Sequence, residues 1–103
     1  MKEIVVSRSA QADIDEIWVY HGMQSIAVAD KVIDDIGNKF DILAEFPTIG
    51  RVRPEFQSDC RSLPVGNYVL YYCVQPETVE IIRVVHSSRR LTTLSAIPAE
   101  AAE

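Results

Sequence analysis

Ala29, Val32, Ile33, Ile36, Phe40 and Leu43 recur at intervals of three and four residues. This is the repeat of one helical face. The stripe runs on to Phe46, about five turns of helix, and Pro47 stops it. A one-sided apolar helix of that length must cover another apolar surface. Gly37 inside it costs up to about 1 kcal/mol relative to alanine. Ser25 is placed to cap its start. A second, shorter stripe precedes it: Ala10, Ile14, Ile17 and Trp18, with Ser7 as N-cap and Gly22 as terminator. A short link joins the two, which predicts an antiparallel helical hairpin.

The surface for that hairpin to cover comes from the strand patterns. "EIVVS" opens the chain as a short β-rich run. After the loop "PTIGRVRPEF" come "CRSLPV", "NYVLYYCV" and "TVEIIRVVH", separated by the turns "VGN" and "QPE". "NYVLYYCV" is apolar almost throughout, as in a strand buried on both faces. Short links favour antiparallel pairing. The expected fold is therefore α+β, in the order β-α-α-β-β-β, with a helical hairpin on a small antiparallel sheet. A length of 103 residues suits one domain, taken as 1–97. "LTTLSAI" is expected to form a short helix before Pro98, and 98–103 a frayed tail.

The N-terminus has no secretory pattern, and no apolar run is long enough to span a bilayer. This points to the cytoplasm and away from membranes. Cys60 and Cys73 match no metal or redox spacing. They are expected as two reduced, partly buried thiols, with a cross-strand disulfide as the alternative.

Charge is unevenly placed. Residues 1–50 carry nine acids and four bases, and residues 51–103 carry six of each, which together give the net charge of −5. Every arginine except Arg8 lies between Arg51 and Arg90. An acidic total argues against general or sequence-specific nucleic-acid binding, which relies on neutralising phosphates. The run "RVVHSSRR" concentrates Arg83, His86, Arg89 and Arg90 at the end of the last strand. Strand alternation puts Arg83 with Ile81 and Val85, and His86 with Ile82 and Val84. Arg83 either pairs with a helix acid or serves a surface role. His86 either bonds its own turn or acts as an acid or base. Asp13, Asp15, Glu16, Asp34 and Asp35 read as solvated helix faces. The aromatics of "YVLYY" either stack bases or divide, with Leu70 and one set of tyrosines in the core and the other set lining a groove. His21 and His86 alone make no metal site. There is no phosphate-binding glycine loop. From the residues themselves, no catalytic set, metal or cofactor is implied.

"AQADIDEIWVYH", "LAEFPTIGRVRPEF", "CRSLPVGNYVLYY" and "IIRVVHSSRR" occur in an order that resembles the ParE toxins of the RelE/ParE superfamily. The resemblance covers roughly residues 3 to 90. It implies a toxin of a type II toxin–antitoxin pair that inhibits DNA gyrase by protein–protein contact. It implies no enzyme activity and no cofactor. It also implies a ParD-like antitoxin, wrapped around the toxin in a hetero-oligomer. The matching positions are Arg51, Arg61, Arg83, His86, Arg89 and Arg90, as a surface for target or antitoxin. The resemblance also allows Arg51 and Arg61 to tie loop to sheet through internal ion pairs.

The RelE branch of the superfamily, which cleaves mRNA on the ribosome, is the alternative. That branch usually carries an arginine at the position of Val69, a tyrosine or histidine near the C-terminus, and a strongly basic charge. This chain has Val69, no tyrosine after Tyr72, no histidine after His86 and a pI near 4.9. A degenerate toxin that only binds an antitoxin is the third reading. A short upstream gene for a ribbon-helix-helix protein would favour a ParE-type pair over that one.

Overall fold

The computed structural model describes residues 1–56 and 59–89. The helix expected before Pro98, the tail at 98–103 and Arg90 lie outside the described residues. The element order is β1 (Glu3–Val6), α1 (Arg8–Gly22), α2 (Ile26–Glu45), β2 (Arg51–Val52), β3 (Cys60–Val65), β4 (Tyr68–Val74) and β5 (Thr78–His86). Both serine caps form. Ser7 Oγ accepts from Ala10 N, and Ser25 Oγ accepts from Val28 N. Each satisfies an amide that has no partner within its helix.

The two helices pack on one face of a five-stranded sheet in the order β1-β5-β4-β3-β2. The α+β class and the β-α-α-β-β-β order hold, with two differences. The sheet is mixed, because β1 runs parallel to β5, with Glu3 opposite Thr78 and Val6 opposite Ile81. The two helices supply the long crossover that a parallel pair requires. The expected loop also contributes β2, a two-residue strand on the edge beside β3.

Ala10, Ile17, Ile36 and Leu43 of the helices bury Leu70, Tyr72, Val79, Ile81 and Val84 of the sheet. The opposite face carries a second cluster of Phe56, Cys60, Tyr71, Cys73, Ile82 and Val85. β4 is thus buried on both sides, as its run of apolar residues requires.

Ile82 and Val84 do not share a face, contrary to simple alternation. Tyr71 pairs with Arg83 and Tyr72 with Ile81, so Ile82 is an extra residue in the ladder. Such a bulge shifts the side-chain phase by one.

The cysteines also differ from expectation. Cys60 and Cys73 form a disulfide with an S–S distance of 1.99 Å. They stand directly opposite in the β3–β4 ladder, with their Cα atoms 4.0 Å apart. The two-residue turn at Gly66 and Asn67 sets that register. Gly66 has φ of +58°, a conformation glycine adopts without strain.

Candidate functional site

The end of β5 meets α1 at an open cleft of about 430 Å³. Its walls include Asp13, Glu16, Tyr20 and His21 from α1, Tyr68 from β4, and His86 and Arg89 from the end of β5 and beyond. The site begins where β1 stops. Ser7 N donates to Ile81 O and Ser7 Oγ donates to Ile82 O. Past that point the outer edge of β5 has no neighbouring strand among the described residues. The Asp13 carboxylate takes over, with Oδ2 accepting from Val84 N at 3.0 Å.

The same carboxylate holds Arg83 in a two-point pair. Arg83 Nε donates to Asp13 Oδ2 at 2.7 Å, and Nη2 donates to Oδ1 at 3.0 Å. Arg83 is only 8% exposed, so the pair is an interior one. The bond to Asp13 pushes the guanidinium pKa above its ordinary value, against the effect of burial, with further help from the Asp13 and Glu16 charges. This corrects the reading of Asp13 as part of a solvated face. Asp15 and Glu16 are exposed as expected.

At the centre of the cleft, both histidines of the chain flank Tyr68. His21 Nε2 and Tyr68 Oη lie 2.9 Å apart. The Tyr68 and His86 rings meet edge to face at 5.5 Å between centroids. Burial, helped by the neighbouring Tyr20, raises the Tyr68 phenol pKa above its usual 10.0. The imidazole tautomer sets which of the two groups donates in the His21–Tyr68 hydrogen bond. His86 bonds its own turn, one of the two roles open to it from sequence. Its Nδ1 accepts from Ser88 N at 3.1 Å and lies 2.9 Å from Ser88 Oγ. With Nδ1 accepting from an amide, neutral His86 carries its proton on Nε2. That N–H is a donor on an exposed residue.

The sequence-derived residues divide. His86 and Arg89 line the cleft, whereas Arg83 lies buried behind it, held to Asp13 of its wall. Arg89 is exposed, with its backbone N donating to His86 O, and its side chain has no hydrogen bond or ion pair among the described residues. Arg51 and Arg61 sit toward the other side of the sheet, on β2 and β3. Arg61 does tie loop to sheet, but through carbonyls and not carboxylates. Its Nη1 donates to Thr48 O at 3.2 Å and Gly50 O at 3.0 Å. Arg51 is exposed, with no side-chain bond among the described residues.

Sequence reasoning missed Asp13, Tyr20, His21 and Tyr68 as parts of this site. The His21–Tyr68 contact spans 47 residues, and nothing local in the sequence signals it. Asp59, Cys60 and Cys73 bring potential metal-ligand atoms within 4.8 Å of one another. The disulfide occupies both sulfurs, so no thiolate is available there.

Residues 4–91 match the family described as ParE toxin of type II toxin–antitoxin system, parDE. The chain is 33% identical over 89 residues to Toxin ParE1 of Caulobacter vibrioides, covering 85% of this chain and 92% of that toxin. Toxin RelE3 of the same organism is 29% identical over 91 residues, covering 87% and 99%. The fold is similar to a chain of the chromosomal ParDE toxin–antitoxin system from P. aeruginosa. There the TM-score is 0.71 at 22% identity, covering 84% of this chain and 96% of that one. With strands, hairpin and cleft in this arrangement and the match spanning nearly all of both helices and the sheet, the chain belongs to the ParE toxins of type II toxin–antitoxin systems.

Proposed function

We propose that this toxin inhibits DNA gyrase by protein–protein contact, without catalysis, and that a ParD-like antitoxin neutralises it as a cytoplasmic hetero-oligomer. The observation that carries the reading is the fate of Arg83. The most deeply placed cation near the cleft is locked to Asp13, so it is not free to stabilise charge on a reacting phosphate. What remains at the surface is His86, Arg89 and the Tyr68 ring edge, a set suited to recognition. An acidic, apolar antitoxin segment fits it, with carboxylates to His86 and Arg89 and an apolar side chain against Tyr68. Arg51 extends the cationic surface at the opposite sheet edge, and Arg61 and Arg83 support it from within.

The test is a supercoiling reaction with purified gyrase, ATP and this protein, with and without its antitoxin. Cleaved DNA should accumulate and the antitoxin should relieve it. No effect on gyrase overturns the reading.

Ribosome-dependent mRNA cleavage is the second reading, favoured by a phenol, an imidazole and a guanidinium in one cleft. It requires His86 and Arg89 to act chemically. Removing both would then abolish cleavage on ribosomes, and cleavage that survives the double alanine variant excludes them as catalysts.

A further inference from the structure

The turn of the helical hairpin, beside the cleft, is apolar and acidic at once. Val19, Tyr20, Met23, Ile26 and Val28 are each 50–82% exposed within ten residues of chain. Trp18 lies beneath them, 38% exposed, with its Nε1 donating to Asp30 Oδ1 and its ring against Gly22. The turn is therefore a fixed surface, pinned from α1 to α2. Residues 9–30 hold four acids and neither lysine nor arginine. Asp15, Glu16 and Asp30 are exposed. Lys31, the next base along the chain, is paired with Asp35 at 3.1 Å. Arg8 stands at the far end of α1, about 20 Å away by helix rise.

We infer that this hairpin turn is a docking surface for a basic amphipathic helix of a protein partner. The partner's apolar side chains would lie on Val19, Tyr20, Met23 and Ile26. Its lysines or arginines would face Asp15, Glu16 and Asp30. Helix-on-apolar-surface recognition needs this combination of anchors and flanking charge. A second copy docking turn against turn does not fit, because two acidic turns repel. The chain's own 91–103 segment does not fit either, since it carries Glu100 and Glu103 and no base. An anionic membrane is disfavoured by the same charge. The surface is distinct in sign from the His86–Arg89 end of the cleft, which suits acids.

Trp18 is the chain's only tryptophan and reports directly on the turn. The experiment titrates the full chain with two synthetic helical peptides of identical leucine spacing, one with lysines and one with glutamates between. The lysine peptide should shift Trp18 emission to the blue and bind at least ~10-fold tighter than the glutamate peptide, with affinity falling as salt rises. A Met23→Lys/Ile26→Lys variant should lose at least ~10-fold in that affinity with an unchanged circular dichroism spectrum. A Tyr20→Ser variant should weaken it independently. Equal affinities for the two peptides, or full affinity in both variants, overturns the inference. So does an equal Trp18 shift on phosphatidylcholine vesicles, or a dimer in sedimentation that the Met23→Lys/Ile26→Lys variant abolishes.

Discussion

Tyr68 and Tyr72 are four residues apart on one strand and meet opposite circumstances. Tyr72 is fully buried, and its hydroxyl is satisfied twice by backbone. It accepts from Gly50 N at 2.9 Å and donates to Pro47 O at 2.8 Å. Arg61 adds its bonds to Thr48 and Gly50, so the loop entering β2 is fastened from two sides. Gly50 is required there, because an added Cβ would come 2.8 Å from Ser62 O and closer still to the Tyr72 hydroxyl. Tyr68, by contrast, opens onto the cleft, and its neighbours are side chains that can also face a partner. Polar groups wholly engaged by backbone stabilise the fold. Polar groups left with open donors, as at His86 and Arg89, are the ones able to recognise.

The largest effect should follow from Asp13→Ala. It strands a buried guanidinium and the Val84 amide together, and should cost about 3–5 kcal/mol in denaturant unfolding. A loss under about 1 kcal/mol would mean that Arg83 finds water or another partner and that the interior role assigned to it is wrong. Tyr72→Phe removes the acceptor for Gly50 N and should cost about 1–3 kcal/mol.

The same two tyrosines predict a pH response. Burial raises both phenols above the ordinary 10.0. A raised folded-state pKa means the unfolded chain loses its protons first, so stability should fall as pH climbs past 10. Tyr72→Phe should flatten that decline, and an unchanged alkaline profile would count against it. Glu80 should show a smaller effect in the same direction. Burial raises its carboxyl above 4.5, so its contribution is lost as pH rises through the acidic range. Glu80→Gln should therefore raise the melting temperature slightly at neutral pH and not near pH 4.

The contrast also marks what could be read from sequence. The helices and their caps at Ser7 and Ser25 were legible because helix signals are local. So were the three long strands and their turns. The parallel placement of β1 was not, because it depends on where two helices return the chain. The bulge at Ile82 left no mark in an all-apolar run, and it reversed the phase of the residues after it. The disulfide depends on ladder register, which spacing alone does not reveal. The motif residues His86 and Arg89 did reach one cleft, with Arg83 buried behind it. Their division into a buried cation and two exposed groups turned on Asp13, which looked like one more helix acid.

The most direct measurement compares His86→Ala/Arg89→Ala with the unaltered protein in gyrase-dependent DNA cleavage, alongside unfolding of both. Stability should change by no more than about 1.5 kcal/mol, since both side chains are exposed and only the His86 contacts with its own turn and Tyr68 are lost. DNA cleavage should fall by about 10-fold or more, as expected when recognition groups are removed. Undiminished gyrase trapping by a normally folded double variant would contradict the assignment of recognition to the cleft.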